Sequence, residues 1–336
     1  MHAPKKIKLI DVARDAGVSP ATVSRAIAQP DLLSEATLAR VRASARRLGY
    51  VPDGAARALA SGRSMTIGAI VPTLDSAIFA RALQAMQTTL AQEGYLLLVA
   101  SHEASAAAEA QAIRALLARG VDGLMLVGAE RARETSDLLL ASGVPTVLTW
   151  CGTPPFASVT VDNERAGRLA ARHLLDLGHR RIGMVTGSLT FNDRQKARLA
   201  GVRATLQEAD VGLPDWLVSE QPLTLAGGRA GCAALLELDQ RPTALIGGID
   251  LIAIGCVEEA HARGLKVPDA LSVVGIDGLE MSAHLSPSLT TVHIPTARIG
   301  QLAAMNLIAQ VRGESYEKQL DLPVELVARR SSTSMG

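Results

Sequence analysis

The sequence predicts an N-terminal all-α helix-turn-helix domain followed by an α/β body of two doubly wound parallel-sheet subdomains. Three observations carry this. Residues 9–50 place apolar residues at helical spacing, with starts and stops in quick succession. From Thr66 onward, short apolar runs alternate with helical patterns, the rhythm of parallel sheets covered by helices. The 336 residues exceed what one compact unit usually holds.

The head reads as three helices. Leu9, Val12, Ala13 and Ala16 share one helical face, and Gly17 stops that helix. Ser19-Pro20 restarts the chain, with Ser19 suited to cap orphan N–H groups and Pro20 to the first turn. Val23, Ala26 and Ile27 give the second helix its apolar face. A third starts near Ser34 and carries Leu38, Val41, Ala45 and Leu48 before Gly49 ends it. Residues 51–64, VPDGAARALASGRS, read as a linker with one short helix, marginal alone in water.

Strands are expected at 66–71, 95–100, 123–127, 145–149, 181–186, 243–248 and 272–276. Phe79, Leu83, Met86 and Leu90 form one helical stripe. Further helices are expected near 104–119, 165–177, 195–209, 226–237 and 251–263, several closed by a glycine suited to a left-handed C-cap.

Composition narrows the function. Hydrophobic residues make up 48% and charged residues 20%, a globular balance. Aromatics at 2% leave little for stacking on single strands. The net charge of +1 divides unevenly: residues 1–64 hold 11 Lys/Arg and 5 Asp/Glu, against 23 and 28 in the rest. A basic head on an acidic body suits a polyanion met by the head alone. Cys151, Cys232 and Cys256 form no metal or disulfide pattern, so no metal or other cofactor is expected. Lys5, Lys6 and Lys8 interrupt any signal-like run, and no stretch suits a membrane span, so a cytoplasmic location is expected. GxxxxGK[ST], GxSxG and GxGxxG are missing, and His102-Glu103 fails as HExxH at Ala106, so no enzyme is expected.

The stretch LIDVARDAGVSPATVSRAI (9–27) has the form of a DNA-binding helix-turn-helix. Its second helix would lay its N-terminal residues against base edges in the major groove. Pro20 and Ala21 offer only apolar contacts, Thr22 and Ser24 suit phosphate oxygens, and Arg25 suits either guanine O6/N7 or a phosphate.

This string resembles the DNA-binding domain of the lactose-repressor/galactose-repressor family. The likeness continues through 51–72, VDGLMLVG (121–128), 161–187, DLIAIG (250–255), 264–277 and SPSLTTV (286–292), in the family's order and spacing. The resemblance implies a homodimeric repressor on a palindromic operator. It assigns residues 1–50 to DNA binding and 51–64 to a hinge helix whose Leu59 enters the minor groove. The remaining 65–336 become a type I periplasmic-binding-protein-like body, with one subdomain from 65–161 and 293–322 and the other from 162–292 and 323–330. Nothing after Val327 forms a heptad repeat, which favours a dimer over a coiled-coil tetramer.

A small polar metabolite, a sugar or sugar acid, is implied in the cleft at the strand ends. Candidate contacts are Pro72, Thr73, Asp75, Phe79, Trp150, Asp162, Arg194, Arg198, Ile249, Asp250 and Asp277. Phe79 serves a core equally well, Arg198 suits a local acid, and Asp250 suits a helix cap. Two positions depart from the family pattern: Ile249 stands where asparagine is common, and Gly278 where a second acid is common. Ile249 opens the alternative of an effector-independent regulator with a degenerate cleft. A solute-binding protein would share the fold but not the basic head. The two arginines and PTLDSAIF (72–79) resemble gluconate-type repressors and point to a sugar acid.

Overall fold

The computed structural model describes residues 7–51 and 62–335, so the expected hinge helix with Leu59 lies outside the described residues. Contacts divide the chain into two compact units, residues 1–66 and 67–336.

In the first unit, α1 (Leu9–Ala16) and α2 (Pro20–Ala28) meet at Gly17, whose φ of 65° makes the turn that an L side chain resists. The Ser19 hydroxyl accepts the Thr22 N–H and so caps α2. After a 3-10 turn at Pro30–Leu32, the Ser34 hydroxyl caps α3 (Glu35–Leu48) in the same way. Val12, Ala13, Val23, Ala26 and Val41 form the small core. Ser44 and Arg47 on α3 donate to the Asp15 carboxylate, pinning α3 to α1 and holding that carboxyl below its usual range.

The second unit holds two six-stranded sheets. The first lobe orders its strands β11-β5-β4-β3-β1-β2, with β1 (Thr66–Val71), β2 (Leu96–Ser101), β3 (Gly123–Val127), β4 (Thr146–Trp150), β5 (Ala157–Val161) and β11 (Gln319–Leu322). The second orders them β12-β10-β9-β8-β6-β7, with β6 (Ile182–Thr186), β7 (Val218–Glu220), β8 (Ala244–Gly247), β9 (Ser272–Asp277), β10 (Thr290–His293) and β12 (Glu325–Val327). Registered pairs run parallel except β10 with β12, where Val292 faces Leu326 antiparallel. Central strands are buried throughout and mostly apolar because helices cover both faces. Burying a Leu or Ile there contributes about 1.5–3 kcal/mol before entropy.

The first lobe carries α4 (Ala77–Gln92), α5 (Ala106–Ala118), α6 (Arg133–Ser142) and α11 (Thr296–Arg312). The second carries α7 (Asn163–Asp176), α8 (Asp193–Gln207), α9 (Leu225–Leu236) and α10 (Asp250–Ala262). Glycines let paired helices touch backbone to backbone. A Cβ on Gly300 of α11 would fall 2.0 Å from the Ala82 carbonyl oxygen of α4. Cβ atoms on Gly167 and Gly201 would fall equally close to the Arg198 and Glu164 carbonyls, which presses α8 onto α7.

The seven expected strands are present. No element was expected at β5, β7, β10, β11, β12, α6 or α11. The strands are three to five residues long, and β7, β11 and β12 lie at or next to sheet ends.

Candidate functional site

In the head, Ser19, Pro20, Ala21, Ser24 and Arg25 are exposed, and Thr22 is half-buried. They line the first turns of α2, whose opposite face is anchored by Val23 and Ala26. The Ser19 and Thr22 hydroxyls bond each other at 2.9 Å, so capping already engages both.

In the body, the segments that follow β3 and β4 meet those that follow β5 and β6 from the other lobe, and this junction is the cleft. The second-lobe wall centres on Arg198, which is 1% exposed. Its Nε donates to Asn163 Oδ1 at 3.1 Å, and its Nη1 to the Gly248 carbonyl at 2.7 Å and Asp277 Oδ1 at 3.3 Å. Gln195 binds the same carbonyl at 3.1 Å and accepts from the Thr186 hydroxyl at 2.6 Å. Asn163 in turn donates to the Trp150 carbonyl at 3.1 Å, reaching across to the first lobe. Burial pushes the Asp277 carboxyl up to about 7 against the pull of Arg198, and burial also draws the Arg198 guanidinium down.

The first-lobe wall is different. The Phe79 and Trp150 rings meet edge to face at 5.2 Å, and Trp150 is fully buried. His102 meets the Phe191 ring at 5.9 Å; desolvation, aided by Arg194, lowers its pKa to about 4, leaving a neutral imidazole. Arg131 lies 3.5 Å from Glu109, with side chains 1% and 3% exposed, and donates Nη2 to the Gly128 carbonyl at 3.0 Å. Burial raises the Glu109 carboxyl. Trp150 and Phe191 hold φ of 65° and 55°, and Asp277 holds 146°; such strain concentrates at sites where geometry is imposed. An orphaned buried polar group costs about 1–3 kcal/mol, and this wall carries several.

Protein groups bridge the walls. Asp193 Oδ2 accepts the Ala129 N–H at 2.6 Å and the Glu130 N–H at 3.2 Å. Lys196 pairs with Glu130 at 2.7 Å, and Arg81 with Glu280 at 3.1 Å. Arg194 binds Asp193 at 3.0 Å and crosses above Gly128, where any Cβ would fall 2.4 Å from its Nη1. Cys151 lies beside Asp193; burial first, and that carboxylate second, push its thiol up to about 12.

Phe79, Trp150, Arg194, Arg198 and Asp277 therefore gather at the cleft. Other expected contacts are engaged elsewhere. Asp162 caps α7 through the Arg165 N–H at 2.7 Å. Asp250 is wholly buried, accepting from Leu279 N–H at 2.8 Å, Ser282 at 2.7 Å and Thr291. Thr73 accepts the Asp75 N–H at 3.1 Å in a loop that leaves Asp75 exposed beside half-buried Pro72. Ile249 packs against the apolar core of the second lobe. Sequence reasoning missed His102, Glu109, Arg131, Asn163, Asp193 and Gln195 as cleft residues. Their signal was topological: His102 follows β2, Arg131 follows β3, and Glu109 is in the first turn of α5. Among the described residues no His, Cys, Asp and Glu group is arranged to hold a metal, and no helix is long and apolar enough to cross a membrane.

Known proteins share both units. Residues 8–53 match the family described as bacterial regulatory proteins, lacI family, and residues 171–332 match a periplasmic binding protein-like domain. The HTH-type transcriptional regulator GntR of Pseudomonas aeruginosa is 35% identical over 330 residues, covering 96% of this chain and 95% of its own. The ribose operon repressor of Haemophilus influenzae is 33% identical over 97% of this chain and 98% of its own. Among solved structures, the lac repressor dimer bound to operator and the anti-inducer ONPF superimposes with a TM-score of 0.87, at 28% identity, over 98% of this chain and all of that one. The chain belongs to the lacI family of bacterial regulatory proteins, transcriptional regulators and not enzymes.

Proposed function

We propose that this protein is a transcriptional repressor that binds a palindromic operator as a homodimer and releases or tightens its grip when a small polyhydroxylated metabolite, a sugar or sugar acid, enters the cleft of its body. The exposed first turns of α2 on a head of 11 Lys/Arg and 5 Asp/Glu carry the DNA half of this reading. Pro20 and Ala21 present apolar surface for a thymine methyl, Ser24 and Thr22 face phosphates, and Arg25 reaches a guanine edge or a phosphate. Leu59, outside the described residues, would wedge into the minor groove. Two copies require half-sites about one helical turn apart. The effector half rests on the cleft, with Phe79 and Trp150 as an aromatic platform beside charged and polar groups. A ligand that favours one lobe closure over another biases the equilibrium. The reading places the protein in the cytoplasm.

Sequencing the genomic fragments retained by the purified protein, then footprinting the best of them, tests the DNA half. The expected site is two-fold symmetric, with affinity falling steeply as salt rises. Arg25→Ala is expected to weaken operator binding roughly 10- to 100-fold. Unchanged affinity removes Arg25 from the contacts, and protein that ignores every duplex at low salt defeats the reading.

A second reading, a regulator without an effector, has its own observation. Ile249, partly buried, packs against apolar core, and Asp193, Lys196 and Arg81 already tie the lobes together. Operator affinity unmoved by any small polar metabolite would favour it.

A further inference from the structure

Six buried side-chain polar atoms find no hydrogen-bond partner among the described residues, and five of them sit on the first-lobe wall of the cleft. They are Nε and Nη1 of Arg131, Nε1 of Trp150, Nδ1 of His102 and Oε2 of Glu109; the sixth is Thr205 Oγ1 on α8. Native proteins rarely leave such groups bare, so a cluster of them at the ends of β2, β3 and β4 needs a partner from outside the chain. The groups belong together: Arg131 and Arg194 both act on the protonation of His102 and of Glu109. The arginines first expected to meet a ligand are already committed. Arg198 commits Nε and Nη1 to Asn163, Gly248 and Asp277, and Arg194 commits Nη1 to Asp193.

The polarity of the bare atoms defines what fits. Arg131 Nε and Nη1 and Trp150 Nε1 only donate, while neutral His102 Nδ1 donates or accepts. Glu109 Oε2 accepts while the carboxyl is ionised. A ligand complementary to the two bare guanidinium nitrogens carries paired anionic oxygens, and the carboxylate oxygen suits an adjacent hydroxyl. We infer that Arg131 and His102 form an anion subsite for a carboxylate or phosphate group of the effector, with Glu109 taking a neighbouring hydroxyl and the Trp150 Nε1 donor lying on the same wall. The inference rests on the reading of the cleft as an effector site, and it specifies the charge of the effector and the residue that selects it. Burial that raises the Glu109 carboxyl, opposed by Arg131 and Arg194 and reinforced by Asp193, helps Glu109 yield Arg131 to an incoming anion.

The test uses the full chain with three matched pools: neutral pentoses, hexoses and their polyols; the corresponding aldonates and uronates; and the corresponding monophosphates. Thermal melting identifies binders, and calorimetry compares each with its neutral parent. At least one anionic pool is expected to raise Tm, with affinity roughly tenfold or more above the neutral parent. Which of the two responds separates a carboxylate from a phosphate. Arg131→Gln should erase the preference, and Glu109→Gln, which removes the competing carboxylate, should strengthen it. If neutral sugars bind as well as their acids and Arg131→Gln changes nothing, the anion subsite is overturned while the effector cleft stands. If no pool moves Tm although operator binding is intact, the subsite and the effector reading both fall. Should Arg131→Gln not fold, an unchanged anion affinity in Glu109→Gln overturns the subsite.

Discussion

Two buried arginines face one cleft from opposite lobes, and their surroundings differ. Arg198 sends Nε to an amide oxygen and Nη1 to a backbone carbonyl and a carboxylate, and none of its nitrogens is among the buried atoms without a partner. Arg131 shares one donor with Gly128 and stands near Glu109, yet its Nε and Nη1 meet nothing among the described residues. A buried polar group is stabilising only when paired, so the first arginine reads as architecture and the second as a receptor. Residue type alone does not separate these roles; the count of unfilled donors does.

The largest effect that sharpens this contrast is on stability. Arg198→Ala strips Asp277 of its counter-charge inside the protein, a loss of about 3–5 kcal/mol for an uncompensated buried charge. Asp277, already pushed up to about 7, escapes part of that penalty by protonating, so the loss should be smaller at pH 6 than at pH 8. Arg131→Met also removes a counter-charge, from Glu109, but it deletes two orphaned donors at the same time. It should cost about 1–2 kcal/mol. Urea unfolding followed by tryptophan fluorescence measures both. Equal losses would erase the distinction between the walls.

The head and the two-lobed body were legible in the sequence because helical spacing, Gly17, Ser19-Pro20 and the strand-helix rhythm are local signals. Within the cleft, only residues that stand out by type were found: two aromatics, two arginines and the acids closing strands. Asp162 and Asp250 carried the same signal, but a helix N-terminus and three local donors claim them. Arg131 and Glu109 are separated by a strand and a helix end, and their pairing exists only after β1, β2 and β3 align. No local pattern encodes which buried donors lack partners, since that property belongs to the whole packed wall.

An intermediate effect separates the walls by pH. His102 has a folded pKa of about 4, below its ordinary value, so its neutral form favours folding. That contribution is whole above pH 6.5 and is lost as pH falls toward 4. Asp277 has a folded pKa of about 7, above its ordinary value. Its contribution is whole at low pH and is lost as pH rises from 3.8 toward 7. The ceiling is about 3 kcal/mol for His102 and about 4 kcal/mol for Asp277 over these windows. His102→Gln should therefore flatten the stability gain between pH 4 and 6.5, and Asp277→Asn should flatten the opposing decline. Slopes of the same sign for both residues would show that one of the two walls is not desolvated as the fold implies.

The smallest effect concerns the ties between the walls. Lys196 and Glu130 meet at 2.7 Å, but their side chains are 47% and 38% exposed. Solvent screens such a pair, and holding two long side chains in register offsets much of the attraction, so its net value is about 0–1 kcal/mol. Asp193 differs in kind: its side chain is 21% exposed, and it satisfies the Ala129 and Glu130 N–H groups. Lys196→Ala should shift unfolding by no more than about 0.5 kcal/mol at physiological salt, and the shift should vanish at high salt. Asp193→Ala should cost more and keep its cost at high salt, because bared backbone donors are not screened. If Lys196→Ala proved the costlier change, or if its effect survived high salt, the lobes would be held by surface charge. The contrast between a paired wall and an open one would then have little bearing on how the cleft closes.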